Sequence, residues 1–340
     1  MHGGFPPTYH HDEELSMVNA PAPDPSPEGG NPEQKHGASE PCCASCGGKS
    51  TESTMRERYV FAVGKLDVRF PNLGLEREFQ RAAQRMMVSG EKERGTRGAG
   101  ARGERIARVL RDHRHIAMRI CPLLKVGGVP AYVIAPAAAY VRDSLIEALP
   151  TIDKDDQWVV AIGRLGPLCR PSDCGGVVAP VLACEELYSF SIDEWAADLA
   201  AALQPAVEAK RVTKQALTDA ARELFATVLS SAENSGATDA HRALNFALVR
   251  HPGLFLAAAE RSGRAVLDKI ETRLLPGLSG RRQVGIVLTF VDTTTGVPER
   301  QFSRIDVTDQ WPFVAGGADG GSGPVGFLPF VENEVVGALL

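Results

Sequence analysis

A change of period constrains this chain more than any other feature. Over residues 192–203, 213–233 and 239–249 apolar side chains recur at helical spacing. From residue 267 they alternate or run together as in strands, over 267–275, 284–291 and 301–307. The turn sequence Asp292-Thr293-Thr294-Thr295-Gly296 separates the last two runs and predicts a three-stranded β-meander. Pro252 suits the first turn of another short helix, where a missing N–H costs nothing.

The first half mixes the two periods at shorter range. Tyr59-Val60-Phe61-Ala62-Val63-Gly64 reads as a buried strand. Asn72 caps a helix over 75–89, with Leu75, Phe79, Ala82 and Met86 on its apolar side. A second helix over 104–117 turns Ile106, Val109, Leu110 and Ala117 inward. Residues 119–125 and 129–135 form a hairpin around Val126-Gly127-Gly128, where a tight turn needs positive φ. A helix over 140–149 and strands over 157–163 and 177–182 follow. The expected fold is α+β: helices with small mixed or antiparallel sheets and a C-terminal meander, in two halves meeting near residues 205–212.

Residues 1–57 stand apart. They are rich in Pro and Gly and carry nine acids against Lys35, Lys49 and Arg56, about −6 of a formal net charge of −5. Such a stretch cannot bury enough apolar surface to offset its chain entropy, so an acidic disordered tail is expected. The charged loop over 90–103 and the Gly-rich tail over 315–340 read similarly. The remaining body is close to neutral and offers no basic face for nucleic acid. No apolar run is long enough to span a membrane, and no secretory leader is visible, so the expected location is cytoplasmic. Seven cysteines, an odd count without a leader, point to reduced thiols.

Several segments resemble the PatG domain and its C-terminal partner region. They include Tyr59 to Lys65, Arg69-Phe70-Pro71, Glu76-Arg77-Glu78-Phe79, Ile162-Gly163 with Gly166-Pro167, and Cys174-Gly175-Gly176. The series continues through Leu187-Tyr188-Ser189-Phe190, Asn234 to Asn245, Leu278-Ser279-Gly280 and Arg304 to Thr308. The resemblance implies a PatG domain over 58–205 and a PatG C-terminal domain over 212–314. In that family the module accompanies a subtilisin-like protease in cyanobactin-type ribosomal peptide maturation. This chain lacks a Gly-Thr-Ser nucleophile segment and its His and Asp partners, so a serine triad is not expected. The implied role is an accessory, non-proteolytic module that binds a precursor peptide or a subtilisin-like protease, with a homodimer left open. The final strands offer an edge for an extended peptide, and Phe327 to Val331 can dock a partner or complete the chain's own sheet.

Three groups of residues could carry chemistry. Cys42, Cys43 and Cys46, with His36 as a fourth donor, could hold a soft metal such as zinc; they could equally be thiols modified in a self-processing role, or solvated thiols of no fixed role. Cys121, Cys174 and His241 could assemble a zinc site supporting a metal-dependent peptide-modifying enzyme, although Cys169 and Cys174 are spaced more loosely than a zinc knuckle. Small buried cysteines are the plain alternative. In the turn Asn234 to Arg242, Gly236 ends one helix and Thr238 or Asp239 caps the next, leaving His241 neutral in a helical first turn.

Overall fold

The computed structural model describes residues 58–88, 101–209, 211–229, 233–275, 280–315 and 328–329. The acidic tail with Cys42, Cys43, Cys46 and His36, most of the charged loop and most of the Gly-rich tail lie outside the described residues. Five strands close into a barrel: β1 (Tyr59–Arg69), β2 (Cys121–Val126), β3 (Val129–Pro136), β4 (Gln157–Leu168) and β5 (Pro180–Ser191). Their order is β1-β2-β3-β5-β4, closed by β4 pairing with β1. Every pairing is antiparallel except β3 with β5, so the sheet is mixed. The fold is α+β.

Period-2 alternation divides the barrel strands between two sides. Val60, Ala62, Leu124, Tyr132, Val159 and Leu182 share one core with the helices α1 (Leu73–Val88), α2 (Ala101–Asp112) and α4 (Ala139–Ala148). Asn72 caps α1 as its sequence requires, its Oδ1 accepting from the Leu75 amide at 2.9 Å. The expected helix over 104–117 is two pieces, α2 and the single turn α3 (Arg114–Ala117), interrupted at His113. Between β2 and β3, Gly127 and Gly128 both take positive φ, which a two-residue hairpin turn demands.

The opposite side of β1 and β4 meets the second half of the chain. Phe61, Val63, Val160 and Ile162 pack with side chains from α5 (Ile192–Ala202), α7 (Lys214–Leu229), α8 (Asp239–Arg250) and α9 (Pro252–Ala259). The short helix α6 (Gln204–Glu208) lies between α5 and α7 in the chain. Trp195, Phe225 and Phe255 interlock at the centre of this core, with ring centroids 4.4–6.1 Å apart. Residues on both sides of 205–212 therefore share one core.

The second sheet is antiparallel and open. It holds β6 (Ala265–Leu275), β7 (Gln283–Asp292) and β8 (Pro298–Asp306), the expected meander. Two short strands, β9 (Phe313–Val314) and β10 (Leu328–Pro329), add to β8. Asp292 organises the β7–β8 turn by accepting from the Thr294 and Thr295 amides. Leu328 and Pro329 thus complete the chain's own sheet, one of the two roles open to that segment. No helix of the described residues is long and apolar enough to cross a membrane.

Candidate functional site

The turn from Asn234 to Arg242 docks against a buried stretch of β1 that β2 does not cover. Along β1, strand β2 reaches Lys65 to Arg69, so the Phe61 amide and carbonyl on that side need other partners. The Phe61 amide donates to the Gly236 carbonyl at 3.0 Å, and Asn245 Nδ2 donates to the Phe61 carbonyl at 2.9 Å. Asn234 Nδ2 in turn donates to Asn245 Oδ1 at 2.7 Å. Gly236 has φ +80°, and a Cβ there would run into the Phe61 carbonyl, so both backbone and space call for glycine.

Thr238 caps α8, its hydroxyl accepting from the His241 amide. Arg242, one position on, is 1% exposed. Its guanidinium donates to the carbonyls of Val307, Asp309 and Gln310 just past β8, and lies 3.5 Å from the Asp239 carboxylate. Asp239 also pairs with Arg282, at 3.0 Å. Arg242 therefore ties the turn and α8 to the second sheet through charge-assisted hydrogen bonds.

Beside this turn lies an open cleft of about 320 Å³. The β2–β3 hairpin forms one wall with Val126 and Val129 to Tyr132. Leu165 and Pro180 come from β4 and β5, and Ser235 and Ala237 from the turn. Tyr132 is buried and its hydroxyl donates to the Ser235 carbonyl at 2.9 Å, fixing turn and hairpin together. The lining holds no carboxylate, imidazole, amine or thiol. It offers apolar surface and a few neutral polar groups, Tyr132 and Ser235 among them.

The sequence-predicted site residues fall elsewhere. Cys121 and Cys174 do come together, but as a disulfide with their Cα atoms 5.5 Å apart. The expectation of reduced thiols is corrected for this pair. Oxidised sulfurs are not thiolates, so in this form the proposed zinc set of Cys121, Cys174 and His241 lacks two of its three donors. Among the described residues, no group of three His, Cys, Asp or Glu side chains is placed to hold a metal ion. The disulfide sits in a small apolar core with Leu123, Val133 and Ala179, and Cys169 packs against it. Burial and the nearby Asp173 carboxylate both push the Cys169 thiol up, away from the nucleophilic thiolate. Burial drives the Cys184 thiol to about 12.

His241 occupies the first turn of α8. Burial pulls its imidazole below the usual range, against Glu233, which acts in the opposite direction. The shift is in the direction expected for a helical first turn, but its cause here is burial. What the sequence did not mark is the cleft wall. Exposed Val129 beside a glycine turn, followed by Pro130, was the available signal: an apolar residue 61% exposed on a hairpin that needs none for its own core.

The profile of the family described as "PatG Domain" matches residues 59–277. A solved structure described as "PatG Domain of Unknown Function" superimposes with a TM-score of 0.53 at 18% sequence identity, covering 76% of this chain and 97% of that one. At that identity the likeness speaks for the fold. No curated protein matches the chain. With nearly two thirds of its length matched by one family profile, and the same fold in a solved relative, the chain belongs to the PatG domain family.

Proposed function

We propose that this protein is an accessory, non-proteolytic module of cyanobactin-like ribosomal peptide maturation, and that it binds the precursor peptide through the cleft between the β2–β3 hairpin and the Asn234–Ala237 turn. The observation that carries the reading is the cleft's lining. It is mostly apolar and of a size that takes one or two peptide side chains, and the Tyr132 hydroxyl beside it is engaged in holding the Ser235 carbonyl. Its walls are held in place before any ligand arrives, by Tyr132 on Ser235 and by Gly236 and Asn245 on Phe61. Preorganised walls lower the ordering cost of binding. The subsistence of the family beside a subtilisin-like protease supports a peptide as ligand; such a protease, presenting an extended loop, is the second candidate partner.

Isothermal titration of the full chain against a cyanobactin-type precursor peptide and a subtilisin-like maturation protease tests the reading. Binding of the peptide, weakened at least ~10-fold by Val129→Asp at the cleft rim, is the expected result. Absence of heat with either partner, or binding that ignores Val129→Asp, contradicts it.

A further inference from the structure

Strand β6 is the outer strand of the second sheet. Across the sheet, β8 receives β9 and β10, so that side carries additional strands. Among the described residues β6 pairs with β7 alone. It is eleven residues long, and edges of that length template pairing with another chain unless something blunts them. One irregularity interrupts it, between Leu267 and Lys269, after which residues 269–275 run in unbroken register against β7.

The side chains of that regular stretch are ordered by face. Ile270, Thr272 and Leu274 lie directly opposite Leu288, Ile286 and Val284 of β7, on the side that meets the helical core. Lys269, Glu271 and Arg273 occupy the other face, alternating in sign. Leu274 is 72% exposed, although it shares a face with buried neighbours.

We propose that the β6 edge is an interface between two copies of this chain, the strands pairing antiparallel about a two-fold axis at Thr272. In that register Glu271 of each copy faces Arg273 of the other, Ile270 faces Leu274, and Thr272 faces itself. Each is a favourable cross-strand pair, and the Ile270–Leu274 pairing covers the exposed leucine. Moving the axis to Glu271 sets it against itself and Lys269 against Arg273. An axis at Arg273 sets that residue against itself. An axis at Ile270 matches Lys269 with Glu271 but runs at once into the irregularity at Leu267. Intermediate registers place residues of the Ile270–Thr272–Leu274 face opposite the charged residues of the other face. A self-complementary pattern of this kind favours a second copy over an unrelated strand. Seven paired residues bury less surface than a permanent dimer needs, so the association is of the transient class.

Substitutions at the axis and beside it test this on the full chain. Thr272→Cys puts two thiols on Cα atoms about 4.5–5.5 Å apart across the axis, within disulfide reach. The expected result is a disulfide-linked dimer under mild oxidation, well above the background given by the wild-type cysteines. In sedimentation, Arg273→Glu is expected to weaken self-association at least ~10-fold by facing two carboxylates. The swap Glu271→Arg with Arg273→Glu restores it. A wild-type chain that stays monomeric at its highest soluble concentration overturns the proposal. So does a Thr272→Cys chain that crosslinks no better than wild type, or a swap that fails to rescue. Protection of residues 269–275 by added precursor peptide, in a chain that remains monomeric, would overturn it in favour of a peptide on this edge.

Discussion

The two sheets of this protein solve the same problem in opposite ways. The barrel of β1 to β5 closes on itself, and where β2 leaves the start of β1 uncovered, Gly236 and Asn245 supply the missing partners. Among the described residues the second sheet stays open at β6. A closed sheet has no backbone groups to offer, so recognition there falls to side chains lining a cleft. An open sheet offers its backbone, and partner choice rests on the side chains flanking the edge. The two proposed associations therefore fall in different places, a peptide at the barrel cleft and a second copy at the β6 edge.

The largest effect is expected where the two sheets are joined. Arg242→Met removes the donor that serves the carbonyls of Val307, Asp309 and Gln310, and leaves the buried Val307 carbonyl without it. A loss of about 2–4 kcal/mol in denaturant unfolding is expected, from the lost charge-assisted hydrogen bonds and the unsatisfied Val307 carbonyl, while Asp239 keeps Arg282. A loss below about 1 kcal/mol would show that the sheets do not depend on this joint. Next comes the disulfide, which fastens the 169–179 loop to the first residue of β2 across a sequence separation of 53. Cys174→Ser is expected to cost about 2–4 kcal/mol, read against wild type under oxidising conditions, with the difference vanishing in reductant.

A third expectation concerns pH at the contact between α9 and β8. His251 is buried, its Nε2 sits 3.0 Å from the Ser303 hydroxyl, and burial pushes its imidazole from 6.5 down to about 4. Because the folded value is depressed, the unfolded chain binds the proton first as pH falls below 6.5. Stability from keeping His251 neutral is therefore complete above pH 6.5 and is lost as pH drops toward 4, by roughly 3 kcal/mol. His251→Gln should flatten the melting-temperature profile between those limits; an unchanged slope would locate the acid sensitivity elsewhere. The smallest effect on folding is expected at the cleft rim. Val129→Asp should change stability by less than about 0.5 kcal/mol, so that any loss of peptide binding reports on the cleft and not on the fold.

Elements that depend on local chemistry were legible in the sequence. The Asn72 cap, the Gly127-Gly128 turn, the Asp292 turn and the proline start of α9 all lie where their side chains require. Strand β5 was only partly legible. It runs from Pro180 to Ser191, whereas apolar periodicity stops at residue 182, because Glu185 and Glu186 interrupt it. Those two carboxylates are satisfied by Arg164 and Arg250, partners distant in sequence. Barrel closure and the parallel β3–β5 pairing are likewise non-local and leave no period to read. At the candidate site, the Asn234–Asn245 segment stood out as a motif, and the structure gives it a reason: it completes β1 and frames the cleft. The approach of Cys121 to Cys174 was anticipated too, but residue type cannot distinguish two metal ligands from a disulfide.

Hydrogen–deuterium exchange on the full chain tests the division of labour most directly, measured with and without precursor peptide and at low and high protein concentration. Added peptide is expected to slow exchange over residues 126–132 and 234–237, while raising the protein concentration slows it over 269–275. The reverse pattern, with peptide protecting 269–275 and leaving the hairpin and turn unchanged, would contradict the account.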